Sequence, residues 1–263
     1  MLIDMHVHTF SEKIAAKALS ALSGYSGLTP LTDGTVRDTV AHMDMWGVDK
    51  AAALSIATKP SQQSIITEYS KSIKSERLLP FGSVHPDSED INDELVRISQ
   101  SGLYGVKLHP DYQGFKIDEK RVYDMYDAIS QLGLPVLFHS GFDWYSPDVI
   151  HCTPEKILKV RAAFPHMKMI LAHLGANRMW QQVYDEIAGI GGETYLDTAF
   201  TLECDNEIME KIINRHGADR VLFASDCPWA SPVDIKRKIE SLGISDDDKE
   251  KIFSLNAERL LGI

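Results

Sequence analysis

His6 and His8, in Asp4-Met-His-Val-His-Thr9, are two imidazoles one residue apart at the end of an apolar run. On a strand, residues two apart share a face and sit about 6.6 Å apart. Two rings so placed can converge on one metal ion, each nitrogen about 2 Å from it. In a regular strand Asp4 has their parity, which suits it either to orient a histidine or to act as an acceptor in the core. Other metal-competent side chains follow short apolar runs further along. They are His109 after Val106-Lys-Leu108, His139 after Val136-Leu-Phe138, His173 after Leu171-Ala172 and Asp226 after Ala224-Ser225, with His85 a further candidate. Imidazoles plus one carboxylate, with no thiolate set, suit zinc or a similar borderline ion. A catalytic zinc keeps a position open for water and lowers its pKa to about 7.

The elements that must position these residues alternate. Strands are expected over 2–5, 51–56, 78–84, 105–108, 135–138, 167–172, 194–199 and 220–224, with helical patterns after most of them. Val36, Val40 and Met43 fall on one helical face before the Gly47 stop; Thr153 reads as an N-cap with Pro154 behind it, and Ser245 caps the last helix. Eight such units predict a (β/α)8 TIM barrel, one domain over 1–263. A doubly wound open sheet is the alternative, but no Gly-x-Gly-x-x-Gly follows the first strand. In a barrel the strands' carboxyl ends share one mouth, so the strand-end histidines and Asp226 would meet there. Residues 11–31 form a long insert whose Gly24–Gly27 segment could hinge a lid at the substrate entrance. Tyr25, Trp144, Tyr145 and Trp229 lie in or near loops after strands, placed to stack on a ring or to pack a lid. Cys227, next to Asp226, should face the core.

Composition narrows the partners. The chain has 263 residues, 44% of them apolar, and a net charge of −11. Only Lys236-Arg237-Lys238 forms a basic cluster, which argues against nucleic acid. Three scattered cysteines, Cys152, Cys204 and Cys227, point to a reducing compartment. A first strand starting at Leu2 leaves no room for a signal peptide, and no apolar run reaches the ~18 residues of a membrane helix. The expectation is a cytoplasmic protein with no membrane partner, a small-molecule substrate, and a homo-oligomeric state left open.

Taken as an ordered set, six motifs resemble the amidohydrolase superfamily, in its aminocarboxymuconate-semialdehyde decarboxylase-like branch. They are Asp4-Met-His-Val-His8, Gly105-Val-Lys-Leu-His-Pro110, Leu137-Phe-His-Ser-Gly141, Leu171-Ala-His-Leu-Gly175, Ser225-Asp-Cys-Pro-Trp229 and Asn256-Ala-Glu-Arg-Leu-Leu-Gly262. The resemblance implies a metal-dependent barrel in which His6, His8, His139 and Asp226 bind the metal. His173 would act on the metal's water or on the substrate, and Asp226 is placed to take that water's proton. Binuclear relatives carry a carbamylated lysine at the end of strand four. Here Lys107 lies one layer below His109, so one zinc per chain is expected, with manganese a looser substitute and no second metal. Lys107 and His109 would meet an anionic substrate alongside Trp144 and Trp229; a core Lys107 paired with Asp4 is the alternative.

The expected reaction is hydrolysis of a small carboxylate-bearing lactone, ester or amide by a metal-activated water. Non-oxidative decarboxylation on the same framework is the second choice. TatD-like nucleases share the His-x-His start but look for an acidic residue on strand four, and polymerase-and-histidinol-phosphatase domains need more acidic ligands than these strand ends offer. A non-catalytic metal-binding barrel is the reading from another class.

Overall fold

A computed structural model describes residues 1–263. Its parallel strands are β1 (Ile3–Val7), β2 (Lys50–Ala53), β3 (Val106–Leu108), β4 (Val136–Phe138), β5 (Met169–Leu171), β6 (Thr194–Asp197) and β7 (Val221–Leu222). β1 pairs with β2, and β3 through β7 form a second run in sequential order. The expected strand at 78–84 joins the two runs through bridges rather than as a regular strand. Leu78 bridges Ala51, Phe81 bridges Leu54 and Gly82 bridges Val106. Pro80 explains the interruption, because it has no N–H to give to the ladder. Closure comes from the other side, where Val7 bridges Cys227, the Met5 N–H donates to Phe223 O and the Asp226 N–H donates to His6 O. Eight parallel segments thus close into the (β/α)8 TIM barrel that the alternation predicts.

Two apolar layers hold it. A small cluster including Ile3, Met5, Ala52, Phe81, Leu137, Ile170 and Leu222 fills the barrel, with Leu260 of the last helix packed into it. A larger cluster joins the outward strand faces to the helices, with Met43, Leu95, Met125, Ile157 and Ile212 among its members. Thr153, Ser231 and Ser245 each accept a backbone N–H at a helix start. No helix is long and apolar enough to cross a membrane.

The register of β1 corrects the parity expected of Asp4. Ile3 pairs with Lys50 and Asp4 with Ala51, but Val7 pairs with Ala53, so the ladder shifts between Asp4 and Val7. Asp4 therefore lies with Val7, Thr39, Met43 and Cys227 on the outer side, while His6 and His8 line the mouth. A bulge of this kind re-aims side chains beside a site. The insert at 11–31 also differs from an open loop. It holds a helix, Ala15–Ser26, ended by Gly27 in the left-handed conformation. Gly24 is inside that helix, so the segment 24–27 is the helix's last turn and its glycine cap.

Candidate metal centre and its cavity

Hydrogen bonds at the rear of each ring fix which nitrogen is free. His8 Nδ1 lies 3.0 Å from the carbonyl oxygen of Leu54. A carbonyl only accepts, so the proton sits on Nδ1 and Nε2 keeps its lone pair. His6 Nδ1 lies 2.9 Å from Asp197 Oδ2, which leaves its Nε2 free in the same way. Both free nitrogens face Asp226 Oδ1, at 3.5 Å from His6 and 3.2 Å from His8. Burial drives the His6 ring well below its ordinary pKa, which keeps it neutral. Two ring nitrogens and a carboxylate oxygen thus crowd together, their ligand atoms within 4.8 Å of one another. A divalent cation would satisfy all three, so the donor set fits a metal of the zinc or manganese type.

His173 and His139 continue the logic. His173 Nδ1 is 3.0 Å from Ala199 O, so it donates there and Nε2 accepts. His139 Nδ1, 3.0 Å from that Nε2, must then be the donor. This leaves His139 Nε2 with a lone pair, buried and without a partner. The His139 ring stacks on His109, centroids 4.1 Å apart, and His109 stacks in turn on Tyr112 at 3.8 Å. His139 Nε2 and His109 Nε2 lie 3.5 and 3.6 Å from Asp143 Oδ2.

The strand ends do meet, but in two groups rather than one. His6, His8 and Asp226 hold their ligand atoms within 4.8 Å of one another, and His109, His139 and Asp143 form a second such group. His139, expected with the first three, also has its ligand atom within 4.8 Å of those of His109 and Asp143. The Tyr112 N–H donates to His109 Nδ1 at 3.4 Å, which puts the His109 proton on Nε2 and makes it a poor ligand there. His85 lies outside the cavity, and its Nδ1 accepts the Asp87 N–H.

Lys107 is fully buried, yet it lines the cavity with Nζ 3.4 Å from His6 Nε2. It does not pair with Asp4, whose carboxylate is taken up by the backbone N–H groups of His6 and Ser225 and the Ser225 hydroxyl. Burial lowers the Lys107 amine to about 8, opposed by Asp197, Asp226 and Asp143. Burial likewise pushes the carboxyls of Asp197 and Asp143 up to about 7.

Sequence reasoning missed Asp197 and Asp143. Asp197 left a trace, an acid inside the apolar run Tyr195-Leu-Asp197. Asp143 sits in a polar loop and left none. Trp144, Trp229, His109 and Lys107 all line the same cavity, of about 720 Å³.

Set beside known proteins, residues 3–263 match the Amidohydrolase family. The chain belongs to the amidohydrolase family. It is thereby an enzyme of that superfamily. Solved structures share its barrel over almost their whole length. 5-carboxyvanillate decarboxylase from Sphingomonas paucimobilis is 17% identical with a TM-score of 0.72, covering 100% of this chain and 99% of that one. A dihydroxybenzoic acid decarboxylase from Polaromonas sp. JS666, solved with bound manganese and 2-nitroresorcinol, is 17% identical with a TM-score of 0.73, covering 99% and 96%. A 2,6-dihydroxybenzoate decarboxylase solved with its 2,6-dihydroxybenzoate is 16% identical with a TM-score of 0.73, covering 100% and 99%. At such identities the likeness is one of fold. No curated protein matches the chain.

Proposed function

We propose that this amidohydrolase is a metal-dependent decarboxylase that removes CO2 non-oxidatively from a small, carboxylate-bearing substrate. The observation that carries the metal half is the meeting of His6 Nε2, His8 Nε2 and Asp226 Oδ1 within 4.8 Å of one another. His139 Nε2, buried and unpartnered, is the fourth donor in this reading. Zinc or manganese suits imidazole and carboxylate together, one ion per chain. When bound, the metal supplies Lewis-acid polarisation of substrate oxygens.

The chain's own residues do the rest. Lys107 Nζ, at the floor beside His6, donates to an oxygen of an anionic substrate. The ring of His109, clamped between Tyr112 and His139, presents Nε2–H to the same ligand. His173, anchored through Nδ1 to Ala199 O, has its basic nitrogen at Nε2, which accepts from His139 and is the atom at which the ring would take up and pass on a proton. Trp144 and Trp229 offer faces for a ring. The walls keep water from the reacting carbon once the substrate is seated.

The order of reactions expected from the sequence is reversed here. Decarboxylation is placed first because the solved relatives are named as decarboxylases. Hydrolysis of a lactone, ester or amide is the second reading, because Asp226 and His173 could equally take a water's proton. Purified protein should carry about one equivalent of metal, lost in His6→Ala and His8→Ala together with activity. Incubation with a panel of aromatic and aliphatic acids, followed by CO2 release, tests the reaction; a parallel lactone and ester panel tests the second reading. Full turnover after chelation would remove both.

A further inference from the structure

The cavity is far larger than its polar floor, and its upper part is of a different kind. Charged side chains line it only at the bottom, as Lys107, Asp143 and Asp226. Above them one wall is a face of the Ala15–Ser26 helix. Ile14, just before that helix, and Ala18, Leu22 and Tyr25 on it recur at helical spacing and line the cavity. The neighbouring positions Ala15 and Leu19 are buried instead, Leu19 beside Gly34, so the helix turns one apolar face into the protein and another to the chamber. Leu54, Ile65 and Ile66 form the wall on another side.

At the rim, Ile14 is 52% exposed, Tyr25 55% and Ile65 65%, all of them lining the opening. Large apolar groups left in water in this number, continuous with an apolar chamber, mark a binding surface. A volume of about 720 Å³ is in the range that encloses a drug-sized ligand, several times the space a one-ring acid fills. Small side chains, Ala18 and Ala21, on the helix face leave that space open.

We propose that the substrate carries an uncharged apolar arm, an aliphatic chain or second ring, that lies along the Ala15–Ser26 helix while its carboxylate reaches the floor. The proposal rests on the reading of that floor as the reaction centre, and it makes Ala18, Leu22 and Ile65 specificity residues. A compact single-ring acid would leave the chamber filled with water against Leu22, Leu54 and Ile66.

The test is the binding of straight-chain carboxylates from acetate to decanoate to the metal-loaded protein, by calorimetry. Affinity should rise about three- to fourfold per methylene until the chamber is full, as burial of each CH2 requires. Leu22→Ala should lower that gain per methylene, and Ala18→Phe should end it at a shorter chain. Affinity that is flat with chain length, or a gain identical in both variants, overturns the proposal. The same series in His8→Ala separates it from the metal reading. A chain-length gain that persists there supports the chamber. Unchanged acetate affinity in that variant would count against the metal floor alone.

Discussion

The carboxylate of Asp197 holds the ring of His6, with Oδ2 2.9 Å from Nδ1, across the barrel from β6 to β1. Its other oxygen accepts the backbone N–H groups of His173 at 2.8 Å and Ala199 at 3.0 Å. One buried acid therefore sets the tautomer of a metal donor and the position of the proposed proton carrier. In Asp197→Asn the amide can donate to Nδ1, which moves the ring proton to Nε2 and blocks the lone pair. Metal affinity should fall by about 10–100-fold, the usual cost of losing such an orienting partner. Titration against a chelator of known affinity measures it, and unchanged affinity would show that His6 does not need Asp197.

Replacement of His173 separates binding from chemistry. Its backbone is left-handed, at φ 61°, a conformation that Asn tolerates better than most residues. His173→Asn should therefore fold and keep its metal. It should lose about 10²–10⁴ in kcat, the contribution typical of a general acid or base. Full turnover in the variant defeats the assigned role; loss of metal would show that His139 needs the acceptor at His173 Nε2 to hold its ring.

Gly141 fixes the loop that carries Asp143 and Trp144. Its φ is +87°, and an added Cβ would run into the backbone of Ala176 and Asn177. Around it the Asn177 N–H donates to Ser140 O at 2.9 Å and the Phe142 N–H to Asn177 O at 3.0 Å. Gly141→Ala combines a strained φ with overpacking, so a loss on the order of 2–6 kcal/mol is expected. The urea midpoint reads it directly. A shift equivalent to less than about 1 kcal/mol would mean that the two loops part easily.

Much of this was legible because strand ends in a barrel converge by construction, whatever their sequence. His6, His8, His109, His139, His173 and Asp226 could be placed at one mouth from their positions after apolar runs alone, and all six line the cavity. What parity could not show was the bulge in β1, because a register shift depends on how β2 pairs and not on β1 itself. Asp4 was misplaced for that reason. Nor could spacing divide the ligands into two groups. That depends on ring orientation, which is set by Leu54 O, Ala199 O and Asp197, none of them adjacent in the chain to the ring it holds. The helix Ala15–Ser26 was hidden by Gly24 and by Ser20, Ser23 and Ser26, which read as loop residues when taken one at a time.

Stability should depend on pH through His216, away from the metal centre. It ends the helix Asn206–His216, is 1% exposed, donates from Nε2 to Thr194 O at 3.0 Å, and accepts the Gly189 N–H at Nδ1 at 3.4 Å. Both nitrogens are thus used by the neutral ring, and a second proton would point Nδ1–H at the Gly189 N–H. Burial lowers its pKa to about 4; the Thr194 carbonyl and Asp219 oppose the shift, and Arg220 adds to it. In the unfolded chain the ring takes up its proton near pH 6.5. Between these values the unfolded state binds more protons, so stability rises with pH across this window and falls as pH drops from 6.5 towards 4. The loss reaches on the order of 3 kcal/mol at pH 4. His216→Gln keeps a donor for Thr194 O but cannot take a proton. Urea denaturation at pH 7 and pH 5 should therefore show a smaller acid loss in the variant than in the parent, by about 2 kcal/mol. Equal losses in the two proteins would mean that the His216 ring opens to water before it titrates.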